Sequence, residues 1–324
     1  MQRPRVFCGC TQGAKTQGRR RRDQPAHGAL KGVSVTLASL LLVILASFIH
    51  ASWNLLAKRA ASVGPIFVFA YNLVACVAYA PWVLYLLAQG MIVWTAEGVG
   101  FVLLSGIIHL AYSLCLQRGY QVADLSVIYP VARGTGPMLS MIGAILILGE
   151  MPTGLGLAGL VLVVAGIGLI ATQGNFAAFQ RPGGQAGVRW GTATGGLIAS
   201  YTVVDAYAVK ALGIAPVVLD WFSNLLRFFM LLPLVLANPN RALERMRGFW
   251  WIAIGVGLLS PLSYILVLAA LTTGAPLSLV APMREMSMMV GALMGMLILR
   301  ETVGPWRLMG CAVLIGGVVL LSAS

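Results

Sequence analysis

The chain has 324 residues, of which 59% are apolar and only 10% charged, and its mean hydropathy is +0.89. Too few charges are present to cover a water-soluble fold of this length, so soluble classes are excluded and the bilayer is the solvent. The net charge of +13 does not point to nucleic acid either, because eight of the 22 Lys and Arg (Arg3, Arg5, Lys15, Arg19, Arg20, Arg21, Arg22 and Lys31) precede the first apolar run with no folded module beside them.

Residues 1–32 read as a disordered basic tail at a membrane surface, dispensable for folding and for the activity of the rest of the chain. Ten apolar runs follow, at 34–56, 65–87, 99–117, 125–148, 154–172, 191–212, 216–236, 250–271, 277–299 and 306–321. Each approaches the length needed to cross a hydrocarbon core ~30 Å thick. The first run is too long for a signal peptide and has no small-residue cleavage pattern, so it is read as a retained span. The five cysteines, Cys8, Cys10, Cys76, Cys115 and Cys311, are scattered and imply neither a metal site nor a disulfide framework.

The longest polar break, 173–189, divides the runs into five and five. Moving about 152 positions along the chain superposes Lys58 on Lys210, Asn72 on Asn224, Pro81 on Pro233, Tyr112 on Tyr264, Ala123 on Ala275, Ser126 on Ser278 and Pro130 on Pro282. After a one-residue gap Arg133 meets Arg284, Glu150 meets Glu301, Gly159 meets Gly310 and Gly166 meets Gly317. Matches of polar and proline residues in so apolar a chain signal a duplication. Five spans per unit make the second unit enter from the opposite side, as inverted repeats. The expected fold is an all-α integral membrane protein, with ten transmembrane helices as two inverted five-helix repeats. The tail occupies 1–32, the first repeat 33–172, a linker 173–189 and the second repeat 190–324.

These residues resemble the EamA-like ten-span transporters of the drug/metabolite transporter superfamily. The resemblance rests on Gly149-Glu150 followed by Gly159 and Gly166, and on Arg300-Glu301 followed by Gly310 and Gly317. It also rests on the Ala-x-Leu-Ser-x-x-x-Pro pattern at 123–130 and again at 275–282. It implies transport and leaves the cargo open. A cytoplasmic N-terminus follows from the resemblance and from the tail. Against it, Lys58, Arg59, Arg118, Arg181, Arg189, Arg241, Arg245, Arg247, Arg300 and Arg307 all fall on the face opposite the tail, so the charge bias leaves the orientation open.

Charges within spans are costly and therefore functional candidates. Arg133 and Arg284 each follow the start of their span by about eight residues, or ~12 Å, which sets them near the midplane of a ~30 Å core. Inversion would bring them together as the centre of a substrate site. Glu285 supplies one counter-charge, and either Asp205 or Asp220 or a carboxylate or phosphate on the cargo would supply the second; the alternative is that each arginine is locked to a protein acid and staples helices. Asn72, Asn224, Tyr112, Tyr264 and Trp53 are the further candidates for substrate binding. His50, in a His-Ala-Ser-Trp-Asn stretch similar to a subset of EamA-like proteins, is a candidate for proton coupling or charge relay. Asp205, Asp220 and Arg227 are the others; Asp220, Asn224 and Arg227 share one helical face at i, i+4 and i+7. Glu150 and Glu301 lie at the interface, where a structural or gating role fits, and the glycines behind them suit close helix packing.

No catalytic constellation, nucleotide motif or metal-ligand set is present, so an enzyme, a cofactor and an ATP-driven pump are not expected. The expected function is secondary transport of a small polar, anionic or zwitterionic metabolite by alternating access, as an exporter. The chain would act as a monomer or dimer in a bacterial cytoplasmic (inner) membrane. The alternative is a lipid or lipid-linked-sugar translocator, and a membrane-embedded enzyme is the weaker rival.

Overall fold

Runs of about twenty apolar residues must close their own backbone hydrogen bonds inside a bilayer, and only helices do so within one segment. The computed structural model describes residues 36–90, 94–122, 125–180, 183–299 and 304–324. The tail, Ala123, Arg181, Arg300 and Glu301 lie outside the described residues, as do the side chains of Lys58 and Ser126.

Within them the regular elements are all helical: α1 (Leu37–Arg59), α2 (Pro65–Ala88), α3 (Ala96–Val122), α4 (Leu125–Leu148), α5 (Gly154–Thr172), α6 (Gly184–Lys210), α7 (Pro216–Leu236), α8 (Pro239–Met246), α9 (Trp250–Thr272), α10 (Leu277–Met283), α11 (Met286–Leu299) and α12 (Pro305–Ser322). Proline at the first turn starts α2, α7 and α12, where its missing N–H costs nothing. Thr153 starts α5, its hydroxyl accepting the Gly156 N–H at 3.0 Å, as an N-cap should. Val33–Ser324 forms one compact unit.

Eight of the described helices are long and apolar enough to span a membrane, against the ten runs expected. Two runs account for the difference. The sixth is α6, which begins at Gly184 and so takes in the end of the expected 173–189 linker. Its glycines, threonines, Arg189, Asp205 and Lys210 keep its hydropathy low although it is 27 residues long. The ninth is interrupted at Arg284 and Glu285, and becomes α10 and α11. The short α8 was not expected. It buries Ala242 and Met246 and exposes Arg241, Glu244 and Arg245, the pattern of a helix lying along an interface.

Small residues set the closest packing, as they do between membrane helices. A Cβ on Gly159 would lie 2.8 Å from the Gly317 carbonyl oxygen, and one on Gly317 would lie 2.8 Å from that of Gly159. Gly166 and Gly310 repeat this reciprocity at 2.8 and 2.9 Å, so α5 and α12 touch backbone to backbone. Between α4 and α6, Gly191 and Gly195 do the same, each 2.9 Å from a carbonyl oxygen of α4.

Candidate functional site

The interruption between α10 and α11 positions the buried charges. Here the amides of Glu285, Ser287 and Met288 bond to the carbonyls of Pro282, Arg284 and Glu285 at 3.1, 3.2 and 2.9 Å. These three-residue steps wind the chain more tightly than an α-helix. Pro282 can donate no backbone bond itself. The local change of pitch turns Glu285 inward, where it is fully buried.

Glu285 sits between the two arginines singled out from the repeat. Arg133 approaches it with Nε at 3.3 Å from Oε2 and Nη1 at 3.5 Å from Oε1. Arg284 Nε lies 3.8 Å from Oε1, beyond hydrogen-bond length. Arg133 Nη2 also reaches His50 Nε2 at 3.2 Å and Ser287 Oγ at 3.5 Å, and its guanidinium lies over the Tyr129 ring, 5.7 Å from the centroid. Arginine has donors only, so His50 Nε2 is the acceptor and carries no proton. One carboxylate between two guanidinium groups leaves a local excess of positive charge.

A cavity of about 40 Å³ adjoins Arg133, lined by residues that include His50, Asn54, Tyr112, Tyr129 and Thr194. That is room for roughly three waters, not for a metabolite. It extends from Arg133 toward the ends where α1 and α3 finish and α4 and α6 begin. At the opposite end Glu150, just after α4, ties the end of α6 to the start of α10. Its Oε1 accepts from Lys210 Nζ and the Leu277 N–H, both at 2.8 Å, and its Oε2 from the Ser278 N–H at 2.8 Å. Glu150 thus caps the first turn of α10, whose amides have no partner within the helix. Burial acts to raise its pKa, but the Lys210 ammonium and the two amides outweigh it and hold the carboxyl below its ordinary value.

A second cluster joins α3, α6 and α9. Asp205 is fully buried; its Oδ2 accepts from His109 Nε2 at 3.0 Å and from the Tyr264 hydroxyl. Its Oδ1 has no hydrogen-bond partner. Tyr201 stacks on His109 with centroids 4.0 Å apart. In α7 the expected stripe is an intrahelical ladder. Asn224 Nδ2 donates to Asp220 Oδ2 at 2.8 Å, and Arg227 Nη2 donates to Asn224 Oδ1 at 2.7 Å.

The remaining candidates are dispersed. Trp53 donates to Ser263 Oγ at 3.2 Å and meets His50 edge-on. Asn72 is fully buried with neither amide atom bonded, and Tyr112 meets Tyr201 edge-on. Reading the sequence did not pair His109 with Asp205 or bring Ser287 and Tyr129 to Arg133. His109 and Asp205 are 96 residues apart and Arg133 and Ser287 154 apart, which leaves no local pattern to find, whereas Tyr129 precedes Arg133 by one helical turn and its i, i+4 spacing could have been read. Among the described residues no group of three or more His, Cys, Asp or Glu could hold a metal ion.

Eight described helices long and apolar enough to cross a bilayer, with the chain interrupted at its buried charges, define a polytopic membrane protein. Residues 37–172 match the model of the EamA-like transporter family. Over that segment the chain is similar to the EamA-like membrane transporters of the drug/metabolite transporter superfamily. A solved structure titled only "Crystal structure of protein" is similar in fold, with a TM-score of 0.69 and 16% identity over 88% of this chain and 98% of that one. No curated protein matches the chain.

Proposed function

We propose that the chain is a secondary transporter of a small anionic or zwitterionic metabolite, working by alternating access between two inverted five-helix units. The observation that carries this reading is Arg133 and Arg284 sharing the single carboxylate of Glu285 beside a cavity. A cargo carboxylate or phosphate supplies the missing negative charge, and the guanidinium fork can bind it with two hydrogen bonds. Support for the inverted arrangement comes from crosswise contacts within the set of glycines that the duplication matches, Gly159 with Gly310 and Gly166 with Gly317. Gly159 meets Gly317 and Gly166 meets Gly310 with near-equal spacing in both directions. The Glu150 clasp at one end and the cavity toward the other support a conformation open to one face at a time.

Tyr112 on the cavity wall and Trp53 beside His50 are proposed cargo contacts, with Asn72 and Asn224 nearer the α2 and α7 interface. Export is the proposed direction when the cargo gradient points outward, and a bacterial inner membrane the proposed location. The test replaces Arg133 and Arg284 each with Lys and with Gln and measures folded yield beside flux of labelled anionic metabolites into proteoliposomes. Normal yield with flux lost supports binding. Collapse of yield together with flux would assign the arginines to structure.

A second reading, lipid translocation, has one observation in its favour: an apolar groove between α3 and α7, lined by residues that include Trp94, Leu103, Phe222 and Phe229. It shares no lining residue with the cavity at Arg133, which favours a water-soluble cargo. Fluorescent-lipid scrambling in the same proteoliposomes separates the two.

A further inference from the structure

The buried charges of the described helices are three guanidinium groups, Arg133, Arg227 and Arg284, and three carboxylates, Asp205, Asp220 and Glu285. Ionised, they cancel. The sign of the interior is then set by two histidines, and the geometry treats them differently. His50 Nε2 is committed as an acceptor to Arg133, which can only donate. His109 instead faces a carboxylate whose second oxygen, Oδ1, is buried without a partner.

We infer that His109, Asp205 and Tyr264 form a proton-binding site, and that its occupancy strengthens the attraction of the arginine centre for an anionic cargo. The coupling to cargo rests on the anion-transport reading above; the proton site itself does not. With the site empty of its extra proton, the six buried ionised groups sum to zero. With the proton bound to the His109–Asp205 pair, the interior gains a net positive charge and holds an anion more tightly. Linkage is reciprocal, so a bound anion also strengthens proton binding. Proton and anion then cross in the same direction, the proton taken from water at one face and released at the other.

The groups around the pair come from every helix packed on it. Tyr201 of α6 stacks on His109, and Tyr264 of α9 meets the same ring edge-on. Arg227 of α7 and Arg284 beyond α10 act on the His109 charge, and Asp220 of α7 feels that of Asp205. Tyr112 of α3 joins through Tyr201. Glu285 and Arg133 follow behind Arg284, so the proton site is within electrostatic reach of the cargo site without being part of it.

The test is an infrared titration of the full-length reconstituted protein between pH 8 and pH 5, read at the carboxyl and imidazole bands. A one-proton transition is expected in the wild type and absent in Asp205→Asn. In Tyr264→Phe it should persist with its midpoint moved by about one pH unit or more, the worth of one hydrogen bond to a carboxylate. A titration unchanged in both variants overturns the site, and if Asp205→Asn does not fold, an unmoved midpoint in Tyr264→Phe overturns it alone. Coupling is read as thermal stabilisation by acetate, phosphate and glutamate, expected to be greater at pH 5.5 than at pH 8 in the wild type only. Equal stabilisation at both pH values removes the coupling. A proton transition with no stabilisation by any of the three anions would instead remove the anionic-cargo reading and leave the proton site standing.

Discussion

Two pairs of sequence-matched helices behave differently. α5 and α12 meet through glycines whose contacts are the same in either direction, and neither helix buries a charge. α4 and its counterpart are unlike each other: α4 runs unbroken through Pro130 and Pro137, whereas the counterpart, with Pro282 alone of its prolines matched to these, divides into α10 and α11. Proline count therefore does not decide where the chain breaks. What differs at the break is Glu285, which corresponds to Gly134 in α4. A side chain that must reach two guanidinium groups reorients the backbone, and glycine makes no such demand. The matched pair packs without buried charge, and the unmatched pair holds Arg133, Arg284 and Glu285.

The largest expected effect tests the charged side of that contrast. Glu285→Gln leaves Arg133 and Arg284 buried without a counter-charge, which should cost about 3–5 kcal/mol. Thermal unfolding in detergent, followed by monodisperse elution, measures it. Stability equal to the wild type would show the arginines paired elsewhere and dissolve the contrast. Next comes the scaffold. Gly166→Val puts side-chain atoms beyond a Cβ already 2.8 Å from a carbonyl oxygen, and overpacking of this kind costs about 1–3 kcal/mol. Gly310→Val should cost the same within error, because the contact is reciprocal. A clear inequality between the two variants would break the symmetry claimed for α5 and α12.

How much of this could be read from residues alone follows the same division. The scaffold was legible: twenty apolar residues force a helix, and matched glycines announce close packing. The α7 ladder was legible too, because i, i+4 and i+7 are neighbours on any helix. Glu285 was recognisable as the counter-charge for the arginines, yet the break beside it was not, since hydropathy averages over a run and Pro130 in α4 breaks nothing. The start of α6 was missed because its first turns are polar and lie beyond the apolar stretch. The partners of Asp205 come from α3 and α9, and only tertiary packing joins them.

A smaller effect is expected where the unmatched pair is anchored. Glu150→Gln keeps the shape of the clasp on α10 but removes its charge from Lys210 and two amides, a loss of about 1–2 kcal/mol. The sign with pH follows from the lowered pKa of Glu150. Its stabilisation is full above the ordinary carboxylate value of 4.5 and is lost as pH falls through the lower folded value. Wild-type stability should therefore decline on acidification below that range more steeply than the variant's. Parallel curves would show that the clasp contributes no charge-dependent stability.

The smallest effect has the opposite sign and concerns Asn72 and its counterpart Asn224. Asn224 is fully used, donating to Asp220 and accepting from Arg227, while Asn72 is buried with both amide atoms unbonded. A buried amide without partners is a penalty that an apolar group of similar size does not carry. Asn72→Leu should then leave the protein as stable as the wild type or more stable by up to about 1 kcal/mol, whereas Asn224→Leu should destabilise it by breaking the ladder to Arg227. If Asn72 is retained because its amide contacts cargo, flux must fall in Asn72→Leu although stability does not. Flux and stability both unchanged would remove Asn72 from the transport site. A loss of stability would show that the amide is bonded in the membrane after all, making the two asparagines alike.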